Sequence, residues 1–217
     1  MAPMLIRLEQ MVPLPVLEQE VSPSGIWNAG EVEFLSPGSY LVEAASGKGK
    51  TSLLAVIYGL RRDYQGRVLL DGRDTGSFTS RDWSVIRKKR LSFIFQGLEL
   101  FPELSAMDNI LLKNAITSFK SESQIQNMAT RLGVADILSR KAGILSYGQQ
   151  QRVAIIRALC QPFQFLLADE CFSHIDQHNS QVAWELIREE CHNQQAGVIL
   201  TSLDEMKENH IDQRMVL

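Results

Sequence analysis

Eight consecutive residues, Ala44-Ala45-Ser46-Gly47-Lys48-Gly49-Lys50-Thr51, carry the densest chemical signal in the sequence. Gly49, Lys50 and Thr51 match the phosphate-cradling pattern G-x-x-x-x-G-K-[ST], with Ala44 in place of its first glycine. Glycines let a backbone wrap an anion without Cβ clashes, and free N–H groups at a helix N-terminus attract it. This chemistry makes Ser46, Gly47, Lys48, Gly49, Lys50, Thr51 and Ser52 candidate phosphate contacts. Lys50 would reach the outer phosphates, and the Thr51 hydroxyl would bind Mg²⁺. Ala44 requires a backbone conformation that accepts a Cβ, and it leaves the cradle from Gly47 to Thr51 intact. The plain alternative is a glycine-rich turn before a helix.

A second signal is the carboxylate pair Asp169-Glu170, which closes the apolar run Phe165-Leu166-Leu167-Ala168. Ligands of open α/β sheets bind outside the carboxyl ends of the strands. Both acids then fall beside the phosphate loop. Asp169 can support Mg²⁺, and Glu170 is placed to act as a general base on water.

Positioning these groups takes an alternation of strands and helices. Leu5-Ile6-Arg7-Leu8 reads as a strand, and Glu31-Val32-Glu33-Phe34-Leu35 alternates as a half-buried one does. Ser36-Pro37-Gly38-Ser39 reads as a turn, Tyr40-Leu41-Val42 as a strand and Ser52–Tyr58 as a helix. Val68-Leu69-Leu70, Leu91–Phe95, Phe163–Ala168 and Gly197–Thr201 are further strands, the last two buried on both faces. Ile125, Met128, Ala129 and Leu132 share a helix face, and Val182–Cys191 is helical. Strand, helix, strand implies right-handed crossovers in a parallel sheet. The class is α/β, with a mainly parallel core, an N-terminal antiparallel part and a helical insertion. The expected division is one domain over 1–217, with a core of 1–95 and 159–217 and a helical subdomain at 96–158.

Length and composition bound the rest. The 217 residues suffice for one core without disulfides or metal, and 45% apolar with 22% charged residues is ordinary for a globular chain. The net charge of −3 argues against direct nucleic-acid binding. The basic run Arg87-Lys88-Lys89-Arg90 reads as a solvated helix end. Three cysteines suit a reducing compartment. No apolar run reaches membrane-spanning length, and Met1–Glu9 lacks a signal-peptide core. The expected location is cytoplasmic, on the inner face of the cell membrane through a partner, with no direct insertion.

Three more segments complete a pattern. Leu145-Ser146-Tyr147-Gly148-Gln149-Gln150-Gln151-Arg152 resembles the ABC ATPase signature LSGGQ followed by QQR, with Tyr147 at a glycine position. Phe95-Gln96 before Leu100-Phe101-Pro102 resembles that family's Q-loop, and Ser173-His174-Ile175-Asp176 its D-loop. With the phosphate loop and Asp169-Glu170, five motifs stand in family order from about Ser39 onward. Tyr64–Val68, Gly97–Pro102 and Asp108-Asn109-Ile110 are similar to the lipoprotein-release, macrolide-export and cell-division type.

The resemblance implies a P-loop NTPase fold of ABC type. It implies an ATP-binding subunit that forms a homodimer, or pairs with another ABC subunit, and powers a transmembrane permease. ATP would lie between the phosphate loop of one subunit and Ser146, Gly148 and Gln149 of the other, near Asp176. Gln96 would sense the γ-phosphate and Mg²⁺, with Lys50, Glu170 and Gln96 catalytic and Thr51, Gln96 and Asp169 at the metal.

Three departures accompany it. The family's last core strand ends in a histidine, but Thr201-Ser202-Leu203-Asp204 puts Leu203, or by a one-residue shift Ser202, there. Slower hydrolysis follows, and a regulatory or scaffold subunit becomes the alternative. A soluble ABC ATPase acting on nucleic acid is a further one, disfavoured by charge and by the single cassette. Trp27 is the nearby candidate for adenine stacking, or else a core residue. The end at Leu217, soon after the last expected strand, reads as a minimal cassette. Cys171, His174 and His178 have zinc-like spacing without a clean fourth ligand. Cys160 reads as core, and Phe93, Phe95 and Phe101 as core or a partner-facing groove.

Overall fold

Continuous apolar runs and alternating runs go to different sheets. The computed structural model describes residues 3–17, 25–202 and 211–217. In chain order it contains β1 (Leu5–Pro13), β2 (Glu31–Leu35), β3 (Ser39–Glu43), α1 (Lys50–Ile57), β4 (Tyr64–Leu70) and β5 (Arg73–Asp74). Next come α2 (Ser80–Lys89), β6 (Leu91–Ile94), α3 (Ala106–Asn114), α4 (Glu122–Arg131) and α5 (Tyr147–Leu159). The last are β7 (Phe165–Asp169), α6 (Gln177–Gln194), β8 (Gly197–Ser202) and β9 (Gln213–Val216).

The parallel sheet runs β6-β7-β8-β3-β9. Every residue of β7 is buried, as its unbroken apolar run requires. Its side chains alternate between two cores. Phe165 and Leu167 join one with Trp27, Leu53 and Phe93, and Leu166 and Ala168 join the other with Ile110, Ile125 and Val153. The antiparallel sheet runs β2-β1-β4-β5 and closes the first core. A register shift between Glu9 and Val12 puts Gln10 at a φ of 48°. Gly66 lies opposite, where a Cβ would stand 2.2 Å from the Gln10 carbonyl, so glycine alone fits.

Helix starts follow capping chemistry. Thr79 with Asp82, Ser105 with Asp108, Ser121 with Gln124 and Ser146 with Gln149 form reciprocal boxes at α2, α3, α4 and α5. Asp176 caps α6, so that helix begins five residues before the expected Val182. β9 lies beyond the last strand expected from sequence and pairs in parallel with β3.

The basic run is not simply a solvated helix end. Arg87 donates to the carbonyls of Tyr58 and Gly59 at 3.1 and 2.7 Å and lies over the Trp83 ring. Arg90 pairs with Asp71 and Gln164. Within the run, Lys88 and Lys89 are the exposed residues. Cys160 is buried as expected, and burial pushes its thiol up to about 12. Among the described residues, no helix is long and apolar enough to cross a membrane.

One buried ion pair joins the segment before α4 to α6. Lys120 Nζ lies 2.6 Å from Glu190 Oε2, with both side chains over 90% buried. Removing one partner leaves a buried charge uncompensated. Glu190→Gln is expected to lower stability by roughly 3 kcal/mol, read as the shift of the urea unfolding midpoint.

Candidate functional site

The loop from β3 to α1 is shaped by two glycines. Gly47 and Gly49 have φ of 80° and 99°, a region that L side chains rarely adopt. At Gly49 a Cβ would also stand 2.9 Å from Val16 Cγ2 and 3.1 Å from Trp27 Cζ2. Ala44 is not among the residues with positive φ, so its place in the loop does not require glycine. Trp27 is buried beneath this loop and donates from Nε1 to the Lys48 carbonyl at 3.1 Å. It braces the loop from the core side, where no base can stack on it.

Four side chains close a ring at the N-terminus of α1. The Lys50 side chain is 4% exposed, and its ammonium lies 3.2 Å from Glu170 Oε1 and donates to the carbonyls of Ala44 and Ala45 at 2.6 and 3.1 Å. The Gln96 amide donates to Glu170 Oε2 at 3.0 Å, and the Thr51 hydroxyl donates to Gln96 Oε1 at 3.4 Å. These four, with Ser46, Gly47, Gly49 and Ser52, line a cavity of about 180 Å³. β3, β6 and β7 deliver them together because all three end on the same side of the parallel sheet.

Asp169 sits behind this ring and is 1% exposed. Its Oδ1 accepts from the Thr201 hydroxyl at 2.7 Å. Its Oδ2 is buried and has no donor in hydrogen-bond geometry, although the Thr51 hydroxyl is near enough to favour the charged form. Burial pushes the Asp169 carboxyl above its ordinary value, and Thr201 and Thr51 oppose that rise. Glu170 turns off the strand at a φ of 47°. Its N–H reaches the Thr201 carbonyl and hydroxyl, each at 3.2 Å, and Gln151 Nε2 donates to its carbonyl at 3.3 Å.

Thr201 and Gln151 were not assigned to the site from sequence. Parallel register sets Asp169 opposite Thr201, which no linear spacing shows.

The remaining expected contacts lie outside the cavity within one chain. Ser146 and Gln149 spend their side chains on the α5 cap. Asp176 is held below its ordinary value by Asn179, which it binds as the cap of α6. Gly148 passes His174 so closely that a Cβ would stand 2.9 Å from its carbonyl oxygen. Cys171 is buried beside this turn, where desolvation pushes its thiol up. Of the two positions compared with the family histidine, Ser202 is the last residue of β8 and Leu203 lies outside the described residues.

Thr201 satisfies one oxygen of a carboxylate whose other oxygen already lacks a donor. Thr201→Val is expected to cost roughly 2–3 kcal/mol, the loss of a buried hydrogen bond to a charged group. Thr201→Ser should recover most of it, as thermal unfolding of the three proteins will show.

Comparison with known proteins agrees with this geometry. Residues 44–173 match the family model described as ABC transporter. The lipoprotein-releasing system ATP-binding protein LolD of Syntrophotalea carbinolica is 38% identical over 149 residues, covering 67% of this chain and 66% of LolD. The ABC transporter ATP-binding protein YtrE of Bacillus subtilis is 34% identical, covering 74% of this chain and 71% of YtrE. The macrolide export ATP-binding/permease protein MacB of Bartonella henselae is 31% identical over 75% of this chain but only 25% of its own length. Among solved structures, a dimeric bacterial ABC transporter cassette superposes with a TM-score of 0.73 at 24% identity, covering 90% of this chain and 87% of the cassette. The chain therefore spans about two thirds of LolD and a quarter of MacB, and in sequence and fold it belongs to the ABC transporter family.

Proposed function

We propose that this chain is the ATP-binding and ATP-hydrolysing subunit of a membrane transporter, powering it through nucleotide-driven dimerisation. The observation that carries this reading is the ring of Lys50, Thr51, Gln96 and Glu170 around one cavity at a helix N-terminus. Loop N–H groups, the helix end and Lys50 suit a triphosphate. A γ-phosphate oxygen at Lys50 competes with Glu170 for the ammonium. The Glu170 carboxylate is then free to take a proton from water as its oxygen attacks phosphorus and the bond to the leaving diphosphate breaks.

The donor set also fits Mg²⁺. Asp169 Oδ2 is a buried oxygen without a donor, the Thr51 hydroxyl lies near that carboxylate, and Gln96 Oε1 is 3.4 Å from the hydroxyl, so all three are hard oxygen ligands. Thr51, Gln96 and Asp169 would hold the ion, which when bound neutralises charge on the phosphate oxygens.

Ser146, Gly148 and Gln149 of a second subunit, homomeric or paired, would complete the nucleotide site, with Asp176 beside them. A head-to-tail dimer accounts for their lying outside the cavity of their own chain. In this reading 96–158 is the helical subdomain of a core formed by 1–95 and 159–217, and it meets a transmembrane permease. The protein is then cytoplasmic, on the inner face of the cell membrane through that partner. A second reading, a nucleotide-gated regulatory subunit with weak turnover, is favoured by Leu203 or Ser202 at the family's histidine position.

Steady-state ATPase assays test the first reading. Glu170→Gln is expected to lower turnover about 100-fold or more while MgATP binding persists. Removing Mg²⁺ should abolish turnover of the parent protein. Equal turnover of parent and variant would overturn the role of Glu170, and ATP binding without turnover in either would favour the regulatory reading.

A further inference from the structure

Tyr147 stands at a signature position where the family carries glycine, and its side chain is not idle. Its hydroxyl donates to the Gln96 carbonyl at 2.9 Å. Its ring meets His174 edge-on, with centroids 4.5 Å apart. One side chain at the start of α5 thus touches the loop bearing Gln96 and the turn after Glu170.

The loop it touches is costly to hold. Leu98 and Glu99 are consecutive non-glycine residues with φ of 59° and 51°. Such conformations persist only where neighbours over-determine them. Arg157, near the far end of α5, donates to the carbonyls of both. One helix therefore grips the loop at two places, Arg157 on Leu98 and Glu99 and Tyr147 on Gln96. The Gln96 side chain bonds Thr51 and Glu170, so restraint on its backbone is restraint on the site. At the next position a Cβ on Gly148 would meet the His174 carbonyl, whereas the Tyr147 side chain is accommodated and remains 42% exposed.

We propose that Tyr147 is a positioning residue, fixing the Gln96 loop against α5 and the His174 turn within one subunit and acting on hydrolysis through Gln96. The kinetic part of this proposal rests on the ATPase reading above; the tether itself does not.

Two measurements on the full chain separate them. Amide hydrogen exchange of residues 96–99 without nucleotide reads the tether. Tyr147→Phe keeps the ring but loses the hydroxyl, and exchange there should rise roughly 2–10-fold while the rest of the chain is unchanged. Tyr147→Gly, which loses both contacts, should raise it further. Unchanged exchange in both variants would overturn the tether.

Kinetics read the consequence. Tyr147→Phe should lower kcat roughly 2–10-fold with KM for ATP within about twofold of the parent. In a Gln96→Ala background the same substitution should have no further effect, because its route to the chemistry is gone. Additive losses in the double variant would overturn action through Gln96. If the parent protein shows no turnover, the ATPase reading fails and exchange alone decides the tether.

Discussion

A buried lysine must be paired, and the site is organised around that requirement. Lys50 is 4% exposed at the first position of α1, where the helix itself places positive potential. Two loop carbonyls and Glu170 satisfy it. Glu170 is in turn held by Gln96, and Gln96 by Thr51. Each group supplies what its neighbour lacks. A ligand that meets Lys50 with its own negative charge would loosen Glu170, and under the proposed function one ammonium would then link binding to the readiness of that carboxylate.

The protein surrounds this ring with groups that hold it in place. Trp27 supports the loop from the core, Thr201 anchors Asp169 and the turn at Glu170, and Gln151 reaches the same turn from α5. α5 does more than present the signature segment. Its N-terminus is closed by Ser146 and Gln149, and Tyr147 and Arg157 grip the Gln96 loop. The segment that would meet a second subunit in the proposed dimer is thus mechanically joined to the loop bearing Gln96.

The same economy governs the two cores. One parallel sheet serves both because strand side chains alternate, sending Phe165 and Leu167 one way and Leu166 and Ala168 the other. The loops at its carboxyl edge inherit the rigidity of both layers. That rigidity is why Glu170 can be held at positive φ immediately after the strand.

Much of this was legible in linear order, because much of the chemistry is local. The phosphate loop, the carboxylate pair and the strand pattern depend on neighbours within eight residues, and sequence by itself determined them. Other features depended on contacts between residues far apart in the chain. The approach of Thr201 to Asp169 comes from strand register, and the partners of Arg87 and Arg90 from packing of α2. β9 has no strong apolar signal of its own and exists because β3 offers an edge. Only the tertiary structure decided that Trp27 braces the loop and that Tyr147 joins two loops, since a side chain's partner is set by which backbones the sheet brings within a few ångströms.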